Sequence, residues 1–244
     1  MISDSLGTTD KVTELTKAIQ DYLQAVDQER ERRRGDLRLS ECLLEIKRFQ
    51  HARFSDTYSD LIEAPQTAKA VRFFLEELYG PTDFSGRDAE FSRVAPQIAR
   101  LFPGEIGHIV LSLVHLHALS ERLDSEMGAA LTTVDLSQEE YRRVWLFVGQ
   151  PGARNEQIAL VRRVGLALAE QVRKPLLRTA LRLMRHPAHA AGLGRLQSIL
   201  ELGLDAFRDL PCPEEFVLDI TQRESRFIEN LFGGTATRDP WACS

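Results

Sequence analysis

Cysteine is scarce in this 244-residue chain: Cys42, Cys212 and Cys243 are odd in number, far apart and without a CxxC pair. That excludes a disulfide framework and a zinc knuckle, and it fits a reducing cytoplasm. No Asn-Gly or Asp-Gly turn occurs and no segment alternates apolar with polar, so hairpins are not expected. No repeat of solenoid period is found. Glycine makes no phosphate cradle: Gly192-Leu-Gly194 lacks a third glycine and follows no strand signal, and no G-x-S-x-G or Walker sequence occurs. The opening MISDSLGTTDKV has no apolar core, so no secretory signal is expected. The most apolar run, Ile106 to Leu119, is interrupted by His108, His115 and His117. It reads as a buried core helix, too short and too polar to span a bilayer.

What is present is helical periodicity almost throughout. Val12, Leu15, Ala18, Ile19, Tyr22 and Val26 make one stripe, closed by Arg32, Arg33, Arg34 and Gly35. A second helix is expected from Leu39 to Ile62, bent near Ser55 and ended by Pro65. Val71, Phe74, Leu75 and Leu78 form an apolar stripe anchored by Phe73 or Phe74, with Gly80 expected at positive φ and Pro81 preventing continuation. Ser85 to Arg100 is expected as a helix kinked by Pro96, and Pro103 to Leu131 as a long one. Ser137 and Glu140 form a capping box, with Leu136 and Tyr141 as its staple. Stripes follow at 158–172, 193–207 and 217–231, with Pro175 and Pro187 expected to break the chain. The last stripe consists of Val217, Ile220, Phe227 and Leu231. The expected architecture is all-α: one domain over residues 1–234, a bundle of about eight to ten helices with short antiparallel connections, and a loose tail over 235–244.

The segments RFFLEELYGPTDFSGRDAEFSRVAPQIARLFP and AGLGRLQSILELGLDAF resemble an uncharacterised family of bacterial helical proteins with an FFLxxLYGP segment followed by RDAEF. The resemblance runs from about Arg48 to Phe232. It implies an all-helical, cytoplasmic bacterial protein and carries over no activity and no catalytic residue.

Two groups of residues invite a functional reading. Glu105, His108, Ser112 and His115 fall at i, i+3, i+7 and i+10, a polar line on an otherwise apolar helix. Buried polar groups need partners, so the line is expected to face a cavity, another polar surface or solvent. Glu105-x-x-His108 has the spacing of helical di-iron sites, in one copy only; a metal there would need further ligands, with Asp88 and Glu90 as candidates. Iron or haem is expected only under that reading, and otherwise no cofactor. His117, Glu121 and Asp124 read as a solvated edge.

The second group is a charge asymmetry. Residues 151–195 carry nine basic side chains against Glu156 and Glu170, a net +7, while the rest of the chain holds 22 basic and 34 acidic residues. Lys174, Arg178, Arg182 and Arg185 share a helical face, a candidate anion-binding surface, unless acidic helices of the same chain cover it. No aromatic residue interleaves with them, so nucleic acid is not the expected partner. The sequence points to a non-enzymatic ligand- or partner-binding module whose partner is an acidic protein or a small molecule. A homo-oligomer is compatible with it. The competing readings are a helical metal or haem enzyme on the His108 line and an anion or nucleic-acid binder on the basic segment.

Overall fold

The computed structural model describes residues 3–78, 85–101 and 104–233. The expected Gly80 helix stop and the 235–244 tail lie outside them. Within them the fold is all-α, with no strand and with eleven α-helices and one π-helical turn. α1 (Ser3–Arg34) is followed by α2 (Leu37–Thr57), α3 (Ser59–Glu63) and α4 (Ala68–Phe73), which runs into the π turn Phe74–Leu78. Then come α5 (Ser85–Leu101), α6 (Glu105–Ala130), α7 (Gln138–Val148), α8 (Pro151–Gln171), α9 (Pro175–Ala190), α10 (Gly194–Arg208) and α11 (Pro213–Phe232).

α6 is the hub, packed against α1, α2, α5, α7 and α8. It can serve so many neighbours because apolar side chains ring it: Val114 and Leu123 are fully buried on opposite sides. α8 carries the packing onward to α11 and α10. Gly165 of α8 sits against Val217 of α11, and Ile158 packs on the cluster containing Phe227 and Leu231, so α8 and α11 run antiparallel. α9 is peripheral; α10 is the neighbour it packs on.

The caps follow from composition. Asp36 accepts from the Leu39 N–H at 3.0 Å and starts α2; Ser137 accepts from the Glu140 N–H at 3.1 Å and starts α7. Gly149 (φ 68°) ends α7 and Gln150 (φ 60°) turns into Pro151. A left-handed glutamine is held there by its own side chain, which accepts from Arg122 at 2.9 Å and donates to Glu126.

Three expected boundaries move. The second helix stops at Thr57 and restarts as α3, because buried Tyr58 turns inward to reach Glu224. The Phe73-Phe74 stretch passes from α to π. Phe73 packs so closely on Gly203 that a Cβ there would sit 2.8 Å from its ring, and Phe74 lies between Phe207 and Phe216. Pro187 does not break the chain but lies in the last turn of α9; the carbonyl it leaves without a donor belongs to exposed Leu183.

Candidate functional site

The polar line of α6 separates along its length of about 15 Å. Glu105 is half exposed and lies 3.8 Å from Lys174 Nζ. His108 is exposed and Ser112 is buried. His115 stacks on Tyr22 of α1 with ring centroids 4.2 Å apart, and its Nε2 is 3.5 Å from Glu156 of α8. Burial, then the nearby Glu156 charge, raises the Tyr22 pKa. Glu90 serves elsewhere: its carboxylate accepts from the Leu196 N–H at 2.9 Å and caps α10, which has no cap residue of its own. The Asp88 side chain lies outside the described residues. Among the described residues no three His, Cys, Asp or Glu side chains gather as a metal site would require.

The basic face of α9 meets acids of the same chain. Arg185 forms two hydrogen bonds to Glu201, Arg178 is 3.8 Å from Asp205, and Lys174 lies near Glu105 and Glu170. Among the described residues Arg182 has no ion pair. Hydrogen bonds from Arg185 and then Gln197 lower the Glu201 pKa, with the Arg182 charge adding to the effect.

His117, Glu121 and Asp124 are not a solvated edge. Glu121 is 7% exposed and is held by Arg33 of α1 and by Lys47 of α2 at 3.3 Å. Burial raises its pKa, but Lys47, Arg33 and His117 outweigh that and bring it to about 2. Asp124 accepts from Gln50 at 3.2 Å, and burial pushes its carboxyl up.

Two more buried cations were not anticipated. Arg53 of α2 is sandwiched between the Phe54 and Phe227 rings, 4.1 Å from each centroid. Its Nη1 and Nη2 donate to Glu224 of α11 at 3.0 and 2.7 Å, and Tyr58 Oη donates to the same carboxylate at 2.7 Å. Arg154 of α8, 3% exposed, lies 3.9 Å over Trp145 and points Nη2 at Met127 Sδ, 3.1 Å away. Burial pushes its guanidinium pKa down.

These contacts fix, from behind, the two helices that form an open groove of about 840 Å³ on the far side of the α8–α11 seam. α11 is tied down by Glu224 and by Arg223, which donates to Asp60 and to the Thr57 carbonyl. α8 is tied down by Arg154 and by Gln157, whose amide donates to Ser120 at 2.9 Å. The floor includes Ile158, Ala159, Leu166 and Leu218; Asn155 and Glu229 lie toward one end. Arg162 and Arg163 line it, both exposed and neither forming a hydrogen bond or ion pair among the described residues. Along α11 the groove extends from Leu218 to Glu229, about 16 Å. An apolar floor with two uncommitted guanidiniums on a rigid backing can hold an apolar segment that carries acids.

A sequence-family model described as a domain of unknown function (DUF8198) matches residues 29–238, a span that includes both walls of the groove. No curated protein and no solved structure matches the chain.

Proposed function

We propose that this chain, which belongs to the DUF8198 family, is a non-enzymatic binding module that takes an acidic, amphipathic segment of a partner protein in the α8–α11 groove. The observation that carries this reading is the contrast among the basic residues of 151–195. Arg173, Lys174, Arg178 and Arg185 are near acids of the same chain, whereas Arg162 and Arg163 border an apolar floor and have no ion pair among the described residues. A seam between antiparallel helices suits a third helix laid along it, with apolar anchors on Ile158 and Leu218 and carboxylates on the two arginines. Arg supplies a planar fork that binds carboxylate in a bidentate way.

The test is fluorescence anisotropy with a labelled helical peptide that has leucines at i, i+3 and i+7 and glutamates between them. The expected result is saturable binding that weakens with salt and falls at least about tenfold in the Arg162→Glu/Arg163→Glu variant. Equal binding by that variant, confirmed folded by circular dichroism, would overturn the reading.

A further inference from the structure

α9 is the most one-sided helix of the chain, and its apolar side is largely uncovered. At 100° per residue, Ala180, Leu183, Met184 and Pro187 fall on one side, Arg178, Arg182, Arg185 and His189 fall opposite, and His186 lies between the two. The helix contains no Asp or Glu. It packs on α10 through a third side: Ala188 is buried, Leu181 is half-buried, and the Leu181 carbonyl accepts from Gln197 at 2.7 Å. The apolar side therefore stays in water, with Leu183 73% and Met184 54% exposed.

We infer that α9 lies in the plane of a membrane surface and takes anionic lipid. The argument is charge complementarity beside exposed apolar side chains. Residues 175–208 hold five arginines against Glu201 and Asp205, so the α9–α10 pair keeps a net +3 in a chain whose total is −5. His186, about 60° round the helix from Leu183, and Arg182, about 100° round in the same direction, lie on the side away from α10 and reach headgroup level when Leu183 and Met184 enter the acyl boundary. The two large apolar side chains exposed on α9 among the described residues, Leu183 and Met184, are too small a patch for the core of a stable dimer. A bilayer needs no shape-matched partner. Among the described residues no helix is long and apolar enough to cross a membrane, and a helix lying in the surface does not need to be.

The test is flotation of the full chain with vesicles of phosphatidylcholine containing phosphatidylserine, and with phosphatidylcholine alone. The expected result is co-flotation with the anionic vesicles only, weakening as salt rises. Arg182→Gln should lower the partition about fivefold, the loss of one cation near an anionic surface. Leu183→Ser/Met184→Ser should lower it by at least about tenfold, since two apolar side chains no longer leave water. Both positions are exposed, so the variant should keep its far-ultraviolet circular dichroism and its acidic-peptide binding; the two proposals then fail separately. No flotation with anionic vesicles, or flotation unchanged in Leu183→Ser/Met184→Ser, overturns the inference. A concentration-dependent dimer abolished by the same pair of substitutions overturns it too, and gives the face to a second copy of the chain.

Discussion

Glu224→Leu removes a carboxylate that accepts three hydrogen bonds and leaves the Arg53 cation behind, still between two aromatic rings. At an effective dielectric constant of about 20, a pair of charges about 4 Å apart attracts by about 4 kcal/mol. Desolvating both ions costs a comparable amount, so the intact pair adds little net stability. The cost appears when only one partner goes. The Arg53 side chain is 8% exposed and the rings on both faces block water, so the orphaned charge cannot be rehydrated without opening the α2–α11 contact. The expected loss for Glu224→Leu is about 3–5 kcal/mol. At about 2–4 °C per kcal/mol for a chain of this size, Tm should fall by about 6–20 °C. The Arg53→Met/Glu224→Leu double variant removes both charges at similar volume and should return to within about 1 kcal/mol of the parent or exceed it. Urea denaturation followed at 222 nm measures Glu224→Leu, Arg53→Met and the double variant, with stability read from the midpoint at constant slope. A loss below about 1 kcal/mol for Glu224→Leu, or a double variant as unstable as the sum of the singles, would refute this account.

Four further substitutions test the same structure. Glu121 has its folded pKa lowered to about 2, so its contribution is present above its unfolded value and lost as pH falls through the folded one. Glu121→Gln should cost about 3 kcal/mol at neutral pH and converge with the parent between about pH 5 and 2, measured as urea midpoints across that range. Gly165→Ala places a methyl 2.8 Å from the Val217 side chain and should destabilise by about 1–3 kcal/mol in thermal melts as α8 and α11 are pushed apart. His108→Ala, at an exposed position, should stay within about 0.5 kcal/mol of the parent. His115→Ala loses the Tyr22 stack and should cost about 0.5–1.5 kcal/mol more in the same melts.

The stripes of α1, α8 and α11, the cap at Ser137 and the helix end at Gly35 could be read from spacing because each is a local property. The buried ions could not, since a charge shows its partner only after folding. Yet each left a mark. Glu224 fills the gap in the α11 stripe between Ile220 and Phe227, Arg53 continues the Cys42, Ile46 and Phe49 spacing of α2, and Arg154 precedes Ile158 by one turn. A charge standing on an apolar stripe is the sign of a cross-helix partner, and it would have found all three. Glu121, an acid in the helix richest in apolar residues, carries the same sign, yet its spacing with His117 and Asp124 mimics a solvated edge. The groove left no such mark: Arg162 and Arg163 look like the other arginines of 151–195 until the acids opposite their neighbours are placed. The acid line on α10, Glu201 and Asp205, lies in the sequence, but its register against α9 is set by packing.

The ion pair between Arg53 and Glu224 joins residues 171 positions apart. On a ribosome the chain emerges from its N-terminus, so α1, α2 and α6 are complete and able to dock while α11 is still untranslated. Until then Arg53 has no carboxylate and α8 has no opposite wall. The groove is consequently a late product of synthesis, formed only when the last helix closes on the second. A chain that stops before α11 lacks one wall of the groove, so under the proposed function it does not hold the partner segment.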